Sequence, residues 1–125
     1  MALWGGRFSQ GPAQSVAALS RSVDFDWRLA AYDVRVNIAH VRGLCDSGVL
    51  SDLDAEKIVQ ALTELGNEIE VGTFTFIDSD EDVHSALERG LTEKLGAVGG
   101  ALRAGRSRND QVTTDLRLFS IDHML

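Results

Sequence analysis

Residues 51–72 read SDLDAEKIVQALTELGNEIEVG, and within them Ile58, Leu62, Leu65 and Ile69 recur at intervals of four, three and four. That spacing returns apolar side chains to one face of a 3.6-residue helix and leaves charge on the other. Ser51 followed three residues later by Asp54 resembles a capping box with a shortened acid, so the helix is expected to start there and to end near Gly72. Upstream, Asp26 to about Ser47 carries no Pro and no Gly before Gly43, and Leu29, Tyr32, Val36, Ala39 and Leu44 approximate helical spacing. Asp24 or Asp26 is expected to cap this helix, and Gly48 to end it in the left-handed conformation. Downstream, Val83, Leu87, Leu91 and Leu95 predict a third helix over about Asp80–Leu95. The acids Asp78, Asp80, Glu81 and Asp82 complement its positive pole and Lys94 its negative one.

The connections are less regular. Thr73–Ile77 alternates Thr and Phe without a partner stretch of similar pattern, and is expected to be a loop or a short extended piece. Gly96, Gly99 and Gly100 open a predicted loop that runs through Arg103, Gly105, Arg106 and Arg108 to Asn109 and Asp110, either of which is a credible cap for a fourth helix. That helix holds Val112, Leu116, Leu118, Phe119, Ile121, Met124 and Leu125, apolar on more than one side, a pattern suited to burial in a larger assembly. The pattern is still open at Leu125, so further helices are expected beyond it. The fold class is therefore all-α: a small, mostly helical domain over residues 1–104, then a loop and the first turns of a long helix over 105–125.

Composition narrows the function. The chain has 125 residues, 12 Lys and Arg against 19 Asp and Glu, and a net charge of -7. With an isoelectric point near 4.8, bulk attraction to nucleic acid or to an anionic membrane is disfavoured. No run of about 18 apolar residues exists and the N-terminus carries Trp4, Gly5, Gly6 and Arg7 instead of a signal-peptide core, so a cytoplasmic protein is expected. One cysteine, Cys45, rules out an intramolecular disulfide and a cysteine-based zinc site, and is expected to be a buried small hydrophobe. Ten of the 12 cations are Arg, so planar bidentate donors dominate.

Two constellations carry chemistry. Gly105-Arg106-Ser107-Arg108-Asn109-Asp110-Gln111 lies at a loop-to-helix junction, where first-turn amides and an Arg fork match a carboxylate or phosphate. Spacing alone leaves that reading level with an ordinary capped, solvated loop. Asp82, His84 and Glu88 form the second, with His84 and Glu88 four apart on one helical face. For His84, metal binding, a satisfied imidazole and an active-site role all compete; the absence of a second nearby His weighs against metal. Ser22 is most simply a turn or cap residue, and His40 and His123 have no evident partners. Trp4 and Phe8 would anchor the opening arm in apolar contacts.

The opening LWGGRF, the stretch Ser22-Val23-Asp24-Phe25-Asp26-Trp27-Arg28-Leu29, the segment Asp80-Glu81-Asp82-Val83-His84-Ser85-Ala86-Leu87-Glu88 and GRSRNDQV together resemble the N-terminal part of the argininosuccinate lyases, in the fumarase and aspartase superfamily. The resemblance implies reversible β-elimination of argininosuccinate to arginine and fumarate, without metal or organic cofactor. It implies that Ser22 contacts the substrate, that Arg108 and Asn109 are a substrate-binding pair, and that Asp82 and His84 line the site. It also implies a homotetramer whose active sites draw on three subunits. The family's acid and base, a His in a Thr-His segment and a Ser on a Gly-Ser-Ser loop, have no counterpart here, so this chain alone is expected to hold no catalytic acid or base and to be inactive. Where members commonly carry Lys-Leu-His-Thr, this chain has Ala101-Leu102-Arg103-Ala104, so no role of that His and Thr carries over. Two rival readings stand beside this one: a catalytically silent structural homologue of the crystallin type, and a free-standing anion-binding helical module.

Overall fold

The computed structural model describes residues 13–124. In chain order they form α1 (Gln14–Ser20), α2 (Val23–Asp26), a 3₁₀ turn (Trp27–Leu29), α3 (Ala30–Asp46), α4 (Asp52–Glu70), α5 (Val83–Leu95), a 3₁₀ helix (Gly96–Arg103) and α6 (Arg108–Met124), with no strand among the described residues. This is the all-α class the patterns predict, and Thr73–Ile77 is irregular as expected. Gly48 and Gly72 follow α3 and α4 at φ 74° and 77°, a region closed to most side chains. Ser51 caps α4 by accepting the Asp54 amide at 3.1 Å. No helix among the described residues is long and apolar enough to cross a membrane.

The core lies between α3, α4, α5 and the 3₁₀ helix. Val41, Ile58, Leu62, Leu91 and Leu102 form one buried cluster, and Ala30, Val34, Leu65, Val83 and Leu87 a second. The α4 and α5 stripes are those the spacing predicts, whereas the α3 stripe is displaced. Ala30, Val34, Val41 and Leu44 are buried together with Asp33 and Asn37, while Ala39 is exposed and Tyr32 and Val36 only half-buried. Two polar residues occupy the middle of the inward face, so an apolar period alone locates it wrongly.

Other departures have equally local causes. The helix expected from Asp26 is broken at Trp27–Leu29, where the Trp27 ring packs against Phe76 and Phe74 at centroid distances of 5.5 and 6.3 Å. Asp26 caps a different helix. Its Oδ1 accepts the Val83 amide at 3.0 Å at the start of α5, and its Oδ2 accepts the Ser22 hydroxyl at 2.6 Å. Asp80 is not in α5; it is buried and held by Arg89 Nη2 at 3.0 Å, and Asp82 caps the helix in a reciprocal box with Ser85. Lys94 reaches Glu68 of α4 at 2.6 Å rather than its own helix end. The loop predicted from Gly96 is instead the 3₁₀ helix, because Leu102 and Val98 turn into the core. Helix α1 carries no pattern signal, and none of its residues is buried. The LWGGRF arm with Trp4 and Phe8, and Leu125, lie outside the described residues.

Adjacent glycines of the 3₁₀ helix separate close packing from chain freedom. A Cβ on Gly99 would meet the Leu91 carbonyl oxygen at 2.9 Å, while one on Gly100 meets nothing within 4 Å. Gly99→Ala is expected to lower stability by about 1–3 kcal/mol through overpacking against backbone, and Gly100→Ala to be neutral or slightly stabilising. Urea midpoints of the two variants check this; equal midpoints would contradict the packing.

Candidate functional site

The junction before α6 is shaped by a turn and a cap. Gly105 has φ 68°, and two residues on Ser107 takes the cap position expected of Asn109 or Asp110. Its Oγ accepts the Asn109 amide at 3.0 Å, and Asp110 Oδ2 accepts the Ser107 amide at 3.0 Å. Once Ser107 caps, Arg108 and Asn109 fall in the first helical turn, where unpaired amides and the helix dipole favour an anion. Glu88, Arg103, Arg106, Ser107, Arg108 and Gln111 line a cleft of about 120 Å³ at this point. Arg108 Nη1 donates to Gln111 Oε1 at 3.3 Å, and its Nη2 lies 3.1 Å from Glu88 Oε1 without hydrogen-bond alignment. Arg106 Nη2 donates to Asn37 Oδ1. Arg106 Nη1 and Arg108 Nη2 are buried donors with no hydrogen-bond acceptor among the described residues.

Beneath the cleft lies a polar cluster built from three helices. Asp33 and Asn37 come from α3, His84 from α5, and Gln111 and Asp115 from α6; all five are at most 3% exposed. His84 Nδ1 is 3.2 Å from Asp33 Oδ1 and 3.6 Å from Asp115 Oδ2, and Gln111 Nε2 donates to Asp33 Oδ1. Neither contact with the imidazole is well aligned as a hydrogen bond. Burial would raise the Asp33 carboxyl, but its pairing with His84 and the Gln111 amide outweigh that, and it sits below its ordinary range. Burial would lower His84, but Asp33 and Asp82 outweigh that and raise it. Asp115, buried and facing the Asp33 charge, is pushed up to about 8. The ligating atoms of Asp33, His84 and Asp115 lie within 4.8 Å of one another, a donor set able to hold a divalent cation. Arg106 also feels the charge of both acids, so a cation there would compete with a guanidinium.

The sequence-predicted residues divide between these places. Arg108 and Asn109 stand at the cleft, Arg108 half-buried and Asn109 exposed. His84 faces the polar cluster, and Glu88, one turn on, faces Arg108. Asp82 spends its carboxylate on the α5 cap, accepting from Ser85 at 2.7 Å. Ser22 packs ahead of α5, its amide donating to Glu81 O at 2.8 Å, and among the described residues no hydrogen bond or ion pair joins it to Arg108 or Asn109. Pattern reading misses Asp33, Asn37 and Asp115. The available signal is spacing: Asp33 and Asn37, like Gln111 and Asp115, are polar pairs four apart, each on one helical face. His40, expected to lack a partner, lies 2.8 Å from Ala104 O, and His123 meets only its own helix at Phe119. Cys45 is half-buried rather than buried, and its thiol donates to Asp52 at 3.1 Å, which raises its pKa and argues against a nucleophile.

A family model described as a lyase matches residues 6–124. The chain belongs to that lyase family. Among curated lyase relatives, the argininosuccinate lyase of Acidothermus cellulolyticus is 58% identical over 122 residues, which is 98% of this chain and 25% of that protein. Those of Frankia casuarinae and Mycobacteroides abscessus are 55% and 53% identical over 98% and 96% of this chain, and 26% of each relative is covered. The chain thus spans about a quarter of the length of the lyases it matches.

The cluster has a pH signature. Asp115 and His84 hold their protons more tightly folded than unfolded, so the stability they give is present below their unfolded values, about 3.9 and about 6.5, and is lost as pH rises through their folded ones. Asp33 acts oppositely, its contribution being lost only as pH falls through its lowered folded value. His40, lowered by burial, is largely neutral in both states above neutrality. Between about pH 7 and about pH 8 the thermal midpoint is therefore expected to fall, and Asp115→Asn to flatten the fall. A level midpoint in the parent chain would count against the charge assignment.

Proposed function

We propose that this chain is the N-terminal part of an argininosuccinate lyase, supplying substrate-binding loops to an enzyme that splits argininosuccinate into arginine and fumarate. The observation that carries this reading is the pair of buried guanidinium donors that lack a hydrogen-bond acceptor among the described residues, Arg106 Nη1 and Arg108 Nη2, beside a cleft at the capped start of α6. A succinyl group brings two carboxylates, and planar Arg forks with first-turn amides suit them. The relatives named argininosuccinate lyase, 53–58% identical over nearly all of this chain, support the same substrate.

In this reading the reaction removes a proton from the carbon beside a succinyl carboxylate, breaks the carbon–nitrogen bond and releases the guanidinium nitrogen with arginine. Negative charge builds on that carboxylate, and preorganised donors stabilise it. Arg108 and Asn109 bind the substrate carboxylates, Ser22 makes a further contact from the start of α2, and Asp82 and His84 line the site. Residues 1–104 form the first domain, and 105–125 the substrate loop and the first turns of a central helix. The acid and base come from segments of the lyase that this chain does not contain. The enzyme is a cytoplasmic homotetramer with shared active sites, needs no metal or organic cofactor, and does not act on nucleic acid or membranes.

The test is fumarate absorbance with argininosuccinate as substrate, on this chain and on a protein of the relatives' length that contains it. Turnover is expected only in the longer protein; none in either would overturn the reading. In the longer protein, Arg108→Lys keeps charge but loses the fork, and is expected to cost about tenfold or more in kcat/KM. Unchanged kinetics would remove Arg108 from the substrate site.

A further inference from the structure

The guanidinium of Arg108 is flanked by Glu88 on one side and by a buried side-chain amide on the other. Arg108 Nη1 donates to Gln111 Oε1 at 3.3 Å, and the other end of that amide, Gln111 Nε2, donates to Asp33 Oδ1. Gln111 is 3% exposed and Asp33 fully buried, so water does not compete for the contact between them. A side-chain amide has one donor end and one acceptor end of nearly the same shape. Between a carboxylate, which only accepts, and a guanidinium, which only donates, one of its two orientations satisfies both neighbours and the other satisfies neither. Asn37 Oδ1 favours the same orientation, lying 3.5 Å from Gln111 Nε2 while also accepting from Arg106 Nη2. His84 Nδ1 lies 3.2 Å from the same Asp33 oxygen, Oδ1.

We propose that Asp33 is a positioning residue for substrate recognition: by accepting from Gln111 Nε2 it turns Gln111 Oε1 toward Arg108 and so holds that guanidinium at the cleft. Asp33 itself touches no substrate. The inference rests on the lyase reading above and deepens it, because it assigns the aim of the carboxylate-binding Arg to a residue two contacts away on another helix.

The experiment uses the longer lyase and steady-state kinetics with argininosuccinate. In Asp33→Asn the new amide can donate, Gln111 is free to turn round, and Nε2 then faces Arg108. KM is expected to rise about tenfold or more with kcat within about threefold of the parent, as for an interaction shared by ground and transition states. Adding Gln111→Glu to Asp33→Asn places a carboxylate between the new amide donor on α3 and Arg108, restoring an acceptor for the guanidinium, and KM is expected to return to within about threefold of the parent. A role in stability alone would lower the active fraction and the thermal midpoint, leave KM unchanged and gain nothing from the second substitution. Should Asp33→Asn fail to fold, Gln111→Met, which keeps the length of the side chain and loses both amide ends, must raise KM in the same way. Unchanged KM in the folded variant, or a double variant no better than the single one, overturns the positioning role while the lyase reading stands. An inactive parent overturns that reading, and this inference with it.

Discussion

Asp33 and Asp115 place two carboxylates in the interior against one imidazole, His84, and the position of α6 depends on how that charge is shared. Burying an unshared carboxylate costs several kcal/mol. Here Asp33 takes the charge, its neighbours hold it ionised, and Asp115 keeps its proton up to about 8. The cluster forms only when α3, α5 and α6 come together, since each contributes part of it. The fully buried face of α6 is not apolar. Its buried residues are Gln111 and Asp115, whereas Val112, Leu116 and Ile121 are exposed. The contacts of Gln111 and Asp115 with Asp33 and His84, together with the Phe119 ring edge-on to Tyr32 at 5.9 Å, seat this helix on the rest of the domain.

That constraint reaches the cleft by short steps. At the head of the docked helix, Ser107 accepts the Asn109 amide and so sets where the first turn begins. The first turn carries Arg108 and Asn109, and the same turn sends Gln111 inward to Asp33 and outward to Arg108. Glu88 of α5 closes the other side of the Arg108 guanidinium at 3.1 Å. An Arg held by contacts on two sides loses little further side-chain freedom on binding a carboxylate, which is the physical value of a preorganised fork.

Much of the fold is legible from punctuation and period. Ser51, Gly48 and Gly72 stand where caps and stops are expected, and the Ile58–Leu62–Leu65 and Val83–Leu87–Leu91 stripes form the core. The failures share a cause. Ala39 reads as inward because it completes an apolar period, yet Asp33 and Asn37 hold that face, since polar partners from another helix meet them there. Asp26 reads as the cap of the helix that follows it and caps α5 instead, from 57 residues away. Gly96–Arg103 reads as a glycine loop, yet it winds into a 3₁₀ helix because Leu102 gains burial.

The candidate site divides along the same line. The sequence by itself determined the helices, their stops, and the placing of Arg108 and Asn109 at a loop-to-helix junction, because periodicity, capping and chain reversal act over a few neighbouring residues. Only the tertiary structure decided that His84 would meet Asp33 and Asp115, and that Gln111 would join Asp33 to Arg108. Asp33 and Gln111 are separated by 78 residues. A polar residue within an apolar helix carries no local mark of the partner that satisfies it, and that partner exists only once three helices have packed.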